Sequence, residues 1–284
     1  MEEPLRCYRH PDRETYVSCT ECGRGICPDC MRFGAVGIRC PDHAGVGAPK
    51  RGARSRGLRQ TRARLTSIPS PVTFTLIALN IAVYLVTAYQ GVGINAPGGR
   101  IFVDWFLLGL FVADGDWYRL VTATFLHGGV IHLLCNMASL WWLGSLVEQV
   151  LGSVRYLLLY FVSGIAGSAG ALLLSGFDEP TVGASGAVYG IMGALLILEY
   201  LRTGSFTGPA LAVIVLNLVF TFSIPGISIG GHLGGLAGGI AATLALAQFR
   251  YGPRQRVLLG PALAVLVALA SVAVAYVRVE SYGF

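Results

Sequence analysis

From residue 70 onward the chain is a series of apolar runs separated by short polar breaks, and each run reads as a helix able to cross a bilayer. Seven spans are predicted, at about 70–89, 130–150, 155–175, 185–201, 208–223, 231–249 and 256–278. The fifth and sixth carry the weakest signal. Between the first two spans, residues 90–129 mix aromatics with isolated charges, as in Ile101 to Leu108 and Trp117-Tyr118-Arg119-Leu120. That mixture predicts a segment lying in the outer membrane interface, with Trp117 and Arg119 as candidate headgroup anchors. The first 45 residues contain no apolar run, so the pattern alone separates a polar N-terminal region from a helical membrane region.

Polar residues inside the spans interrupt this pattern. Such groups are costly in hydrocarbon and normally face a bundle interior or a water-filled cavity. The second span carries His132 and Asn136, four apart on one helix face; the fourth opens with Gly183-Ala184-Ser185-Gly186; the sixth opens with His232. Each of these spans is entered from the same side, so all four groups share one depth. Ser185 is a candidate nucleophile and His232 its base, with no carboxylate to make a triad, because Glu148 and Glu199 fall near the opposite helix ends. His132, Asn136 and the Ser185 backbone N–H form a candidate oxyanion hole. Tyr189, one turn after Ser185, is placed to stack on His232. Small-residue pairs Gly234/Gly238 and Gly235/Gly239 predict close approach of the sixth helix to Gly186, Gly190 and Gly193 of the fourth.

Composition agrees: 54% of the 284 residues are hydrophobic and 13% charged, which excludes an ordinary soluble enzyme. The net charge of +6 does not imply a nucleic-acid partner, because seven basic residues lie in one block from Lys50 to Arg64, just before the first span. There they act as a positive-inside signal beside anionic lipid. The N-terminus is therefore expected in the cytoplasm, with Arg155, Arg202 and the Arg250, Arg254, Arg256 cluster on the same side. Asp178, Glu179 and the C-terminus are expected outside. Met1 to Cys7 show no apolar core of a cleavable leader, and the expected setting is a multi-pass protein of a bacterial plasma membrane.

Six of the seven cysteines precede residue 41. In a reducing compartment they point to metal thiolates rather than disulfides. The pairs Cys7/His10, Cys19/Cys22, Cys27/Cys30 and Cys40/His43 all have two intervening residues, and eight such ligands suit two tetrahedral zinc ions. With so little apolar material, metal would supply the folding energy, so a structural role is expected. The order of pairs resembles a B-box zinc finger. That resemblance implies that the first pair joins the third and the second the fourth, although spacing alone also permits sequential pairing.

The motifs from Trp117 to Phe249 resemble the rhomboid family of intramembrane serine proteases: Trp117-Tyr118-Arg119, His132-xxx-Asn136, Gly183-Ala184-Ser185-Gly186 with Tyr189, and His232-xx-Gly235-xxx-Gly239. The resemblance implies an all-α polytopic membrane protein, a six-helix bundle with one further C-terminal helix. It implies a Ser185/His232 dyad, oxyanion support from His132 and Asn136, a stacking role for Tyr189, and structural roles for His127 and Glu148. Its implied substrates are transmembrane proteins cut at small residues near the outer face, with no cofactor for the chemistry. The corresponding organisation is a zinc-binding domain at 1–45, a basic linker at 46–68, a catalytic membrane domain at 69–250 and an extra helix at 251–284. The N-terminal domain could recruit a cytosolic partner. An inactive relative that binds transmembrane helices is the alternative; a transporter fits less well, because the polar groups lie near one surface and the halves show no repeat.

Overall fold

The computed structural model describes residues 4–33, 37–43, 70–248 and 254–282. The expected basic linker at 46–68, Arg250, and the side chains of Arg254 and Arg256 lie outside the described parts. The chain divides into two compact units, Met1–Arg64 and Leu65–Phe284.

The N-terminal unit consists of two short antiparallel hairpins, β1 (Leu5–Arg6) with β2 (Glu14–Thr15), and β3 (Arg32–Phe33) with β4 (Ile38–Arg39). Its buried centre is Ile26 surrounded by Cys7, Cys19, Cys27, Cys30 and Cys40. Sulfur fills the space that aliphatic side chains occupy in larger domains, too little apolar area for an independent core.

The membrane unit is helical throughout. Its long helices are α1 (Pro71–Gln90), α5 (Val130–Ser139) continuing through a wide π turn at Leu140–Gly144 into α6 (Ser145–Leu151), α7 (Ser153–Leu174), α8 (Ser185–Thr203), α9 (Pro209–Ser223), α10 (Ile229–Gln248) and α11 (Arg254–Glu280). Each of the seven predicted spans coincides with one of these helices. By length and composition five can cross a membrane: Pro71–Gln90, Val130–Leu151, Ser153–Leu174, Ile229–Gln248 and Val257–Glu280. Of the other two, α8 carries Glu199 and Arg202 in its last turns, and α9 has 15 residues. At 1.5 Å per residue α9 reaches about 23 Å, short of a hydrocarbon core of about 30 Å.

The core lies where α7, α8 and α10 meet, and it is built from backbone as much as from side chains. A Cβ on Gly235 would stand 2.0 Å from the Gly186 carbonyl oxygen, and one on Gly239 would stand 2.3 Å from the Gly190 Cα. These are the approaches expected from the glycine spacing. The second pair behaves differently, because Gly234 and Gly238 face Ala166 and Gly170 of α7 instead. Both sides of α10 are thus glycine seams, and α7 is buried along most of its length.

Residues 99–125 fold into three short helices, α2 (Gly99–Trp105), α3 (Gly109–Ala113) and α4 (Arg119–Thr122), and a 3-10 turn at Ala123–Phe125. Arg119 is not a headgroup anchor here. It is 4% exposed, and its guanidinium donates to the Val103 and Phe106 carbonyls at 2.8 and 2.9 Å and to Asp116 at 2.9 Å. A buried cation with that many acceptors clamps the segment together. Trp117 stacks on Tyr276 of α11, at 6.0 Å between ring centres.

Candidate active site and metal centres

The segment before α8 sets the position of Ser185. Thr181 pairs with Leu107 through reciprocal backbone hydrogen bonds of 2.8 and 3.0 Å, and the Gly183 N–H donates to the Ala123 carbonyl at 2.9 Å. Held from both sides, the chain turns at Gly183, whose φ of +129° suits glycine, and enters the helix with Ser185 as its first residue. The first N–H groups of a helix have no intrahelical acceptor, so this turn presents free donors beside the serine hydroxyl. A Cβ on Gly183 would fall 2.7 Å from His132 Nε2 and 3.6 Å from Ser185 Oγ. The absent side chain therefore lets the His132 ring come up against the turn that carries Ser185. A cavity of about 30 Å³ adjoins Ser185, with Thr124, Ser168 and Ser228 among its walls, room for about two waters.

His132 lies one turn into α5, and its Nδ1 accepts a hydrogen bond from the Gly128 N–H at 3.3 Å. A neutral ring that accepts at Nδ1 carries its proton on Nε2, the nitrogen close to Gly183. Asn136 is buried and donates one amide proton to the His132 carbonyl at 2.9 Å, within its own helix. His127, also buried, meets His132 edge to face at 5.0 Å.

His232 lies in the first turn of α10, next to Gly231, which lines the same cavity as Ser185. Its ring is stacked on Tyr189, centres 4.1 Å apart and planes 18° apart. Since Tyr189 follows Ser185 by one turn of α8, the stack puts the imidazole on the serine's side of that helix. Sequence reasoning missed one neighbour: Thr221 of α9, whose Oγ1 is 2.7 Å from His232 Nδ1 and 2.5 Å from the Tyr189 hydroxyl. Its signal in the sequence was weak, one of three polar residues, with Asn217 and Ser223, in a mostly apolar run.

Neither candidate carboxylate reaches this site. Glu148 is 2% exposed and accepts from the Val72 and Thr73 N–H groups, the Thr73 hydroxyl and Ser153 Oγ, capping the start of α1 from a neighbouring helix. Glu199 accepts from the Ala210 N–H at 3.0 Å, at the start of α9.

In the N-terminal unit the eight ligand residues fall into two clusters, Cys7, His10, Cys27 and Cys30, and Cys19, Cys22, Cys40 and His43. The cross-braced arrangement holds, and sequential pairing does not. Within each cluster the ligand atoms lie within 4.8 Å of one another. His10 Nδ1 is 3.3, 3.4 and 3.8 Å from the sulfurs of Cys27, Cys30 and Cys7. The edge of a tetrahedron around a zinc ion with sulfur and nitrogen ligands is about 3.6 Å, so the donor sets fit such a metal. Their protonation fits as well. Burial opposes ionisation of Cys19, but the N–H groups of Cys40, Glu21 and Cys22 outweigh it and hold the thiol at about 5. Cys30 is pushed up to about 11 by burial and by its neighbours Cys27 and Cys7. Three crowded sulfurs cannot all ionise without a cation between them, and these clusters could hold one each.

The stretch from His132 to His232 falls inside a match to known proteins. A family model described as the Rhomboid domain matches residues 114–249. The rhomboid protease GluP of Bacillus subtilis is 35% identical over 219 residues, covering 75% of this chain and 42% of its own length. The putative rhomboid protease YdcA of the same organism is 36% identical over 143 residues, covering 49% of this chain and 72% of its own. RHOMBOID-like protein 4 of Arabidopsis thaliana is 36% identical over 223 residues, 66% of this chain and 54% of that one.

Proposed function

This chain belongs to the rhomboid family, and from that premise we propose that it is an intramembrane serine endopeptidase using Ser185 and His232 as a dyad. The observation that carries the reading is the approach of Ser185 Oγ and His132 Nε2 to one point, Gly183, which with Ser185 lines the adjoining cavity. A scissile carbonyl seated there would have its carbon beside the nucleophile and its oxygen beside a donor. His232 Nε2 takes the proton as Ser185 Oγ bonds to the carbonyl carbon, and returns it to the departing amine. The developing oxyanion is met by His132 Nε2–H, the Ser185 N–H and the second amide proton of Asn136. Water from the adjoining cavity then hydrolyses the ester.

The substrates in this reading are transmembrane proteins cut near the outer face, in a bacterial plasma membrane with the N-terminus cytoplasmic and the C-terminus outside. The zinc-binding domain at 1–45, within the N-terminal unit, holds two structural zinc ions, one in each cluster, and is available to a cytosolic partner. The linker at 46–68, the catalytic domain at 69–250 and the extra helix from 251 complete the organisation.

Ser185→Ala and His232→Ala, purified and reconstituted with a transmembrane substrate, should both be inactive, because nucleophile and base act as a unit. A serine-directed phosphonate should label the wild type at Ser185 and fail to label Ser185→Ala. Cleavage by folded Ser185→Ala at the wild-type rate would overturn the dyad, and a folded wild type that neither cleaves nor is labelled would replace this reading with that of an inactive helix-binding relative.

A further inference from the structure

Thr221 has a place in the site that a two-residue mechanism leaves unexplained. On α9 the buried residues are Ile214 and Thr221, seven apart and so on one stripe, while Leu216, Val219, Phe220 and Phe222 point outward. A hydroxyl buried in such a helix can satisfy itself by bonding to the carbonyl four residues back, and Thr221 donates to Asn217 O at 2.9 Å. For a threonine that only packs, nothing more is needed. Yet two further polar atoms converge on the same oxygen, the Tyr189 hydroxyl and His232 Nδ1.

Counting protons decides what these contacts are. A threonine hydroxyl has one proton and two lone pairs. With its proton on the Asn217 carbonyl, Oγ1 accepts from both remaining partners, from Tyr189 O–H and from His232 Nδ1–H. An imidazole that keeps its proton on Nδ1 has a bare Nε2, the form that can take a proton from a serine.

We propose that Thr221 is a positioning residue that fixes the tautomer and the ring orientation of His232, a hydroxyl standing where a carboxylate stands in a three-residue triad. The proposal rests on the dyad reading above. Its physical advantage is that a hydroxyl orients the ring without placing a second charge at membrane depth, where an ionised carboxylate would be costly. It accepts from Nδ1–H equally when the ring becomes imidazolium, so the contact is kept through the proton transfer. Tyr189 joins the arrangement twice, with its ring face against the imidazole and its hydroxyl on the same oxygen. Side chains from α8, α9 and α10 thus lock together at one atom.

The test compares Thr221→Val with Thr221→Ser in the full chain, reconstituted with a transmembrane substrate. Valine keeps the shape and deletes the oxygen; serine keeps the oxygen and deletes the methyl. Thr221→Val should lose roughly 10- to 100-fold in kcat with little change in KM, the usual cost of removing a partner that orients a reacting group, and Thr221→Ser should retain most of the activity. A purely structural role gives the opposite order, since valine is the closer match in shape. Thr221→Val at the wild-type rate, beside an inactive Ser185→Ala, overturns the role of Thr221 and leaves the protease reading intact. An active Ser185→Ala removes both. Should Thr221→Val fail to fold, the nitrogen-15 spectrum of the wild-type His232 ring decides: a proton on Nδ1 supports the proposal, and a proton on Nε2 in the neutral ring overturns it.

Discussion

His132 and His232 are the same residue type in the same bundle, yet their surroundings place their protons on opposite ring nitrogens. At His132 the neighbour is a donor, the Gly128 N–H, which leaves the proton on the nitrogen close to Gly183. At His232 the neighbour is the Thr221 oxygen, which in the proposal above holds the proton on Nδ1 and leaves Nε2 bare. In the proposed mechanism one ring donates to an oxyanion and the other accepts from a hydroxyl. Residue type supplies the imidazole; the atom behind it assigns the job. The supports also differ in kind. His232 rides on a helix joined to its neighbours through backbone contacts, whereas His132 stands in the first turn of α5 with its ring held by the loop N–H of Gly128.

The largest test of this comparison is Gly235→Val, which strikes the helix of His232 where it meets α8. Its Cβ would meet the Gly186 carbonyl, a backbone atom that no rotamer change can move. We expect a loss of a few kcal/mol in stability or more, with no measurable cleavage, read by thermal unfolding in detergent and by substrate turnover. The His132 side should respond less steeply. Asn136→Ala removes one candidate oxyanion donor and should lower kcat about a hundredfold, near 3 kcal/mol, while His132 and the Ser185 N–H remain. A variant within twofold of wild type would assign Asn136 to helix packing through its bond to the His132 carbonyl. The smallest effect sharpens the comparison by lying outside it. Removal of residues 1–45, or chelation of their metal, should leave cleavage within about twofold, because separately folded units carry separate functions. The isolated fragment should lose its structure on chelation and bind two zinc ions per chain.

Much of this architecture was legible in the sequence because hydrocarbon solvent makes polar residues conspicuous. Ser185, His132 and His232 stand out among leucines and glycines, and the Gly235/Gly239 spacing foretells the contact with α8. The pattern does not encode helix rotation when a helix is apolar on every side. For that reason Gly234 and Gly238 could not be matched to α7, and Thr221 could not be told from a threonine bonded to its own helix. Arg119 was obscured by a different effect: an arginine between aromatics has the composition of an interface anchor, and only the carbonyls of Val103 and Phe106 show that it is enclosed. The Cys/His pairs fixed the number of metal clusters, while their cross-bracing depends on chain direction between the pairs, which spacing does not carry.

The glycine seams of α10 also bear on how freely such a sequence can change over evolutionary time. At Gly230, Gly234, Gly235 and Gly239 the neighbour of any new side chain would be backbone, so no compensating substitution elsewhere restores room. Drift at these positions is closed whatever the rest of the protein becomes. On α9 the outward residues Val215, Leu216, Val219 and Phe222 are more than half exposed, so an exchange among apolar side chains there meets less resistance. Two adjacent helices of the membrane unit are thus subject to opposite rules of inheritance, one nearly frozen and one free to wander around the two positions, Ile214 and Thr221, that turn inward.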